Sequence, residues 1–187
     1  YQKILDEAIR ELKRSAFKDV FKDEISRQDD YVSDCTIDTD LEILIPDDYV
    51  ESITERLSLY TRLDNAADEA ELTALHTEMT DRFGPAPKPV EDVFTTIRCR
   101  RHAVKLGFEK MTVKDKVLRC YFINKNDSPY FETATFKAIL HFLQTATIKA
   151  KLKQVGKNFF IVADSMITMK QVEMFLEQMA AHPRSGN

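Results

Sequence analysis

Carboxylates crowd one stretch of the chain: Asp34, Asp38 and Asp40, followed by Asp47 and Asp48. Alternate acids on an extended segment face one way and suit a hard cation such as Mg²⁺. No partner pattern for acid–base work accompanies them. Asp47 and Asp48 also follow Pro46, where a helix start would favour negative charge. A second set, His76, His102, His141 and His182 with Cys35, Cys99 and Cys120, supplies nucleophiles and soft ligands. It shows no zinc-ligand spacing, nucleophile elbow or phosphate loop. His141, between Leu140 and Phe142, reads as a satisfied core histidine. The cysteines form no CxxC and cannot all pair, so free thiols and a reducing cytoplasm are expected.

Two charged groups remain. Arg98, Arg101 and Lys105 fall at i, i+3 and i+7 on one helix face, with Arg100 and His102 between them. Such a stripe suits phosphates, yet it carries no interleaved aromatic rings on which bases stack. It also sits near a helix C-terminus, where cations are favoured in any case. Glu78 and Asp81 are the other group, three residues apart on one side of a helix, just before Arg82-Phe83-Gly84. Carboxylates there oppose the negative end of the helix dipole. Arg82 lies at i+4 from Glu78 and offsets part of that cost. The pair is either a docking point for an external arginine or half of a local salt bridge with Arg82, Arg98 or Arg101.

The elements that must position these groups follow from periodicity. Residues 1–14 carry apolar positions at helical spacing (Ile4, Leu5, Ala8, Ile9, Leu12), and 26–34 read as a polar linker. Residues 35–45 alternate loosely and predict one or two short strands. Pro46 opens a helix ending near Asn65, with Val50, Ile53, Leu57 and Tyr60 on its buried face. Asp68, with Glu71 three residues on, caps a second helix whose apolar stripe is Leu72, Leu75, Met79 and Phe83, stopped by Gly84 and Pro85. A third runs from Lys88 to Leu106, with Val90, Val93, Phe94, Ile97 and Val104 inward and Gly107 as its stop. The pattern then becomes strand-strand-helix twice: 110–113 and 117–122 around Lys114-Asp115, a helix from Ser128-Pro129 with Phe136, Ile139, Leu140 and Leu143 inside, then 150–155 and 158–162 around Gly156-Lys157. Thr168 and Gln171 form a capping box for a last helix bearing Val172, Phe175, Leu176 and Met179. The expected class is α+β: a helical subdomain followed by two strand-strand-helix units that form a four-stranded, mostly antiparallel sheet with two helices on one face. The expected organisation is 1–34 as a remnant helix and linker, 35–181 as the main domain (35–107 mainly helical, 108–181 sheet plus helices), and 182–187 as a frayed tail.

The chain has 187 residues, 27 Lys and Arg against 31 Asp and Glu, and a formal net charge of −4, which disfavours bulk nucleic-acid binding without excluding a local basic patch. With 43% apolar and 31% charged residues it reads as an ordinary globular composition. No apolar run approaches the length of a membrane span, so no membrane partner is expected. Four glycines and no tryptophan argue against a Gly-rich nucleotide loop or a propeller.

Four segments then occur in order: Thr-Ile-Asp-Thr-Asp-Leu from Thr36, Leu-Ile-Pro-Asp-Asp-Tyr-Val from Leu44, Arg-Leu-Ser-Leu-Tyr-Thr-Arg from Arg56, and Asp-Arg-Phe-Gly-Pro from Asp81. Together they resemble the C-terminal domain of the bacterial transcription-repair coupling factors, strongly over about 35–107 and loosely beyond. Residues 1–14 resemble the last helix of that family's motor. The resemblance implies a large ATPase that recognises stalled RNA polymerase, removes it from DNA and recruits excision repair. Its ATP and Mg²⁺ belong to a motor whose motifs are absent here, so the resemblance implies no cofactor and no enzymatic activity for this chain. It implies a regulatory domain folded back on the parent's N-terminal excinuclease-B-like module, masking the excinuclease A surface and restraining the motor. Glu78 and Asp81, with Arg82 beside them, then correspond to the acidic contact. The helix bearing Arg98, Arg101 and Lys105 is richer in arginine than the family pattern and leaves room for a second, nucleic-acid contact.

Overall fold

The computed structural model describes residues 31–184. The expected helix over 1–14 and most of the expected linker lie outside the described residues. Within them the class is α+β, as expected.

The first correction concerns the start of the domain. Residues 46–50 form a turn, with the amides of Tyr49 and Val50 both donating to the Pro46 carbonyl at 3.1 Å. Helix α1 begins only at Ile53 and runs to Asn65, and its cap is Ser52, whose hydroxyl accepts from the Glu55 amide at 3.2 Å. Starting three residues past the turn changes which side is buried. Leu59 and Leu63 point inward, whereas Ile53 and Leu57, expected inside, are 66% and 62% exposed. Val50 is buried from the turn and not from the helix.

Helix α2, Glu69–Phe83, has the expected cap: the Asp68 carboxylate accepts from the Glu71 amide at 2.9 Å, and Glu71 reaches back to the Ala67 amide at 2.6 Å. Leu72, Leu75 and Met79 are buried as expected. Helix α3, Lys88–Leu106, is the spine of the molecule. Its first half supplies Val90, Val93, Phe94 and Ile97 to one apolar core, shared with α1 and α2. Its second half supplies Cys99, Ala103 and Leu106 to another, shared with the sheet.

Gly107 ends α3 in the left-handed region at φ +95°, and the space a Cβ would need is taken by the Tyr130 ring, whose Cε1 lies 2.2 Å from that position. Only glycine satisfies both demands. The Tyr130 hydroxyl donates to the Leu106 carbonyl, tying the chain reversal to the sheet core.

The sheet has five strands, one more than expected. They are β1 (Thr36–Thr39), β2 (Phe108–Lys114), β3 (Val117–Phe122), β4 (Ala150–Val155) and β5 (Asn158–Ala163), in the order β1-β2-β3-β5-β4. The extra strand, β1, pairs parallel with β2, and all other pairs are antiparallel. It is four residues long, and its partner lies more than seventy residues on, so nothing local in the sequence announces the pairing. The Thr39 hydroxyl secures it by donating to the Val113 carbonyl at 2.8 Å. The β2–β3 turn centres on Asp115 and Lys116, both at positive φ (53° and 63°), one residue later than expected.

One sheet face is covered by α4 (Ala134–Thr145), α5 (Met169–Ala181) and the second half of α3, three helices where two were expected. Pro129–Glu132 form a separate 3-10 turn, and α4 starts from a Thr133 cap. In α4, Phe136, Ala138, Ile139 and Phe142 are buried, while Leu140 and Leu143 are only half-buried. The α5 capping box forms as expected. The C-terminal segment is docked as far as Arg184: His182 caps α5, and Arg184 donates to the Thr135 hydroxyl at 3.3 Å. At the other end Val32 is buried and the Tyr31 ring meets Tyr130 edge-on at 5.8 Å. Among the described residues no helix is long and apolar enough to cross a membrane.

Candidate docking surface on the helical half

The C-terminal turns of α2 lie alongside α1, and the charged residues between them form one network. Arg62 grips Glu78 with both guanidinium nitrogens, at 2.5 and 2.8 Å. Arg82 touches the same carboxylate at 3.4 Å and pairs with Glu55 across the helix gap. Its guanidinium also lies over the Phe83 ring at 4.7 Å. The hydrogen bond from Arg62 holds the Glu78 carboxyl below its usual range and raises Arg62 in return. Both side chains remain well exposed, at 46% for Arg62 and 38% for Glu78, so water screens the pair.

Glu78 is therefore engaged at home, while its neighbour Asp81 is exposed and makes no side-chain hydrogen bond or ion pair among the described residues. The partners Arg62 and Glu55 escaped the sequence reading. They lie seven apart, two turns along one flank of α1, and that spacing was the available signal. It had no value without knowing that α1 packs beside α2.

The basic helix is also employed internally. Arg98 binds Glu69 through Nε at 3.0 Å and Nη2 at 2.9 Å. Arg101 donates to the carbonyls of Ala66 and Asp68, both at 2.9 Å. Arg100 binds the Asp64 carboxylate at 2.5 Å. These arginines clamp the α1–α2 loop onto α3, and the Ala66 carbonyl that Arg101 satisfies is one that the end of α1 leaves free. Lys105 is exposed at the rim of an open cleft of about 880 Å³ between that loop, α3 and α5.

The acidic string does not assemble. Asp38 pairs with Lys114 at 2.8 Å, Asp40 accepts from the Asp115 amide at 2.9 Å, and Asp34 accepts from the Cys35 amide at 2.8 Å. Among the described residues no three His, Cys, Asp or Glu side chains are placed to hold a metal. His141 is on the surface and not in the core, its Nδ1 2.6 Å from His182 Nε2. The three cysteines are free and buried, and burial pushes the Cys35 thiol up to about 12, with Asp34 adding to the shift.

Fold and surface define an α+β domain whose polar groups serve mainly to lock helices together. The chain belongs to the TRCF domain family, whose pattern matches residues 39–133. It is 31% identical over 162 residues to the transcription-repair-coupling factor of Rickettsia bellii and 31% identical over 126 residues to that of Escherichia coli. Those alignments take in 86% and 67% of this chain but 13% and 10% of the relatives, so the chain spans a small fraction of their length. A crystal structure of the C-terminal domain of transcription-repair coupling factor superposes with a TM-score of 0.65 at 16% identity, over 82% of this chain and 96% of that one, and shares the fold.

Proposed function

We propose that this chain is a non-catalytic regulatory domain of an ATP-dependent DNA translocase in transcription-coupled excision repair. In that reading it acts as a lid on the parent's N-terminal excinuclease-B-like module, masks the excinuclease A surface and restrains the motor; RNA polymerase and DNA meet it through the parent. Family membership supports the setting. The observation that carries the docking site is Asp81, an acid without a partner among the described residues at the end of α2, next to a carboxylate that two arginines already hold. Asp81 is the group free to receive a cation from outside. Glu78 and Arg82 set its surroundings and keep α2 in register with α1. Ile53 and Leu57, on the exposed side of α1, offer apolar area to the same partner.

A lid of this kind needs little intrinsic affinity. Tethering within one polypeptide supplies an effective concentration of order mM, so a weak contact stays closed. Release requires a ligand that prefers the open state by ~10⁴-fold to move the balance almost completely. Asp81→Arg in the full-length parent is expected to raise basal ATP hydrolysis several-fold and to expose excinuclease A binding, with the domain still folded. Both properties unchanged in a folded variant would refute the assignment. Glu78→Ala alone is expected to act more weakly, because it leaves Asp81 in place and frees Arg62, while Arg82 keeps its pair with Glu55.

A further inference from the structure

The two edges of the sheet differ. β1 is four residues long, and a strand that short offers little to a further strand. β4 is six residues long and pairs with β5 in unbroken register from Ala150 to Val155, with no bulge and no proline. Among the described residues its amides and carbonyls make no hydrogen bond outside that ladder. Its outer row of backbone donors and acceptors is therefore open. From Lys151 to Val155 every residue is exposed. The middle of the sheet offers no such surface: Phe160 is buried, the Tyr121 ring leans on it with 4.9 Å between centroids, and the Lys110 ammonium covers Tyr121.

Charge and apolar surface along β4 define what fits there. Between Glu132 and Asp164 the sequence has five lysines and no acidic residue, in a chain whose net charge is −4. Lys149, Lys151, Lys153 and Lys157 make no ion pair among the described residues. Register sets Lys151 opposite Val162 and Lys153 opposite Phe160, on the face away from the helices. Leu152 stands opposite Ile161 on the helix side and is 36% exposed. Just before the strand, Ile148 lines an open cavity of about 360 Å³ together with Met166, Met174 and Phe175. Edge lysines ordinarily keep sheets from pairing with their own copies. They do so here, since a second β4 laid antiparallel about Leu152 would set Lys151 against Lys153 twice. That protection needs neither an exposed leucine nor an apolar cavity at the start of the strand, and it has no force against a strand of opposite charge.

We propose that β4 takes an added strand from a partner protein, an extended acidic segment that runs antiparallel to it. Main-chain bonds along β4 supply the binding, and acidic side chains opposite Lys151 and Lys153 select the sequence. Antiparallel addition continues the pattern of β2, β3, β5 and β4 and is the more stable pairing per residue. The intervening residues of the segment fall on the helix side, beside Leu152. An apolar residue at its C-terminal end then reaches the cavity beside Ile148 and Met174. The pattern selected is acid–apolar–acid, ending apolar. A run of phosphates would meet the same lysines but has no peptide backbone to pair and nothing to place in the cavity. The inference does not rest on the lid reading, because α2 packs in the helical core and β4 is the far edge of the sheet.

The test is fluorescence anisotropy of the 187-residue chain with a labelled peptide, capped at both ends, in which glutamate alternates with valine over about eight residues and the last residue is leucine. Saturable binding is expected. Two N-methylated forms decide the mode. Neighbouring residues of a strand direct their amides to opposite sides, so methylating one alternate set should abolish binding and methylating the other should leave it within about threefold. Replacing the terminal leucine by alanine should weaken binding about tenfold. Lys151→Glu with Lys153→Glu, both at exposed positions, should lose the glutamate peptide and gain the peptide with lysine in its place, a compensation that an unfolded variant cannot show. Asp81→Arg should leave affinity within about twofold, so that this site and the lid are read separately. The proposal is overturned by no saturable binding up to about 1 mM peptide, or by equal loss or equal retention in the two methylated forms. An oligo-dT that binds the same lysines more tightly than the peptide would make a nucleic acid the occupant and overturn it. Dimerisation of the chain that the peptide reverses would make a second copy the occupant and overturn it equally.

Discussion

Among the described residues the helical half holds eleven buried residues in its core and the sheet half twenty-two, and the surface charges are arranged in the opposite sense. Around the smaller core nearly every arginine is spent on a bridge: Arg62 and Arg82 between α1 and α2, Arg98, Arg100 and Arg101 between α3 and the α1–α2 loop. Around the larger core Lys110, Arg119, Lys151 and Lys153, on one sheet face, make no salt bridge among the described residues. The difference follows from what fixes register. Packed helices share no backbone hydrogen bonds, so a small core leaves sliding to be prevented by side chains. A sheet is registered by its backbone ladder, which leaves the side chains of its open face available for other uses.

Helix α3 joins the two halves, and the largest expected effect tests whether they open together. Phe94 is fully buried in the helical core, with the His76 ring edge-on at 5.0 Å. Phe94→Ala should cost about 3–5 kcal/mol. Because α3 is continuous, the loss should reach the sheet half, where all three thiols are buried. Their reaction with a thiol reagent at neutral pH, far below the raised value of Cys35, should accelerate at least about a hundredfold. Thiols that stay protected while α1 and α2 melt would break the coupling and make the halves independent units.

Gly107→Ala addresses the joint itself. Positive φ and the Tyr130 ring together should cost roughly 2–4 kcal/mol, measured by chemical denaturation. Tyr130→Phe keeps the ring and removes only the hydroxyl that donates to Leu106. It should therefore not rescue Gly107→Ala, whereas Tyr130→Ala in the same background should recover part of the loss. No recovery would mean that the backbone conformation alone carries the cost.

The smallest effect concerns the bridge at α2. Arg62 holds the Glu78 carboxyl low, so the folded state binds a proton there less readily than the unfolded chain. The stabilisation is present above the ordinary glutamate value and is lost as pH falls through the folded one. Glu78→Gln should lower Tm by roughly 1–3 °C at pH 7 and flatten the fall in Tm between pH 5 and 3. An unchanged acid limb would remove this bridge from the account of how the helical half is registered.

Much of this was legible in the residues. The caps at Asp68 and Thr168, the stop at Gly107 and the inward stripes of α2, α3 and α5 follow from local rules, because a cap or an i, i+4 stripe is satisfied within a few residues. The α1 stripe differs from expectation because the helix opens after the Ser52 cap and not at Pro46, so Val50, three residues before it, is out of phase with its buried face. The charged groups were visible as residues but not as relations. Glu78 found Arg62 sixteen positions away and Arg98 found Glu69 twenty-nine positions away.

The amino-acid order by itself determined the elements, their caps, most of their buried faces and the family. It did so because hydrophobic periodicity and backbone capping act over one or two turns, and because four ordered segments carry the likeness. Tertiary structure alone decided that β1 adds a fifth strand to the sheet, that the arginines of α3 hold a loop, and that Asp81 has no partner among the described residues. Each of those depends on which distant segments become neighbours, and that is set by packing the whole chain at once.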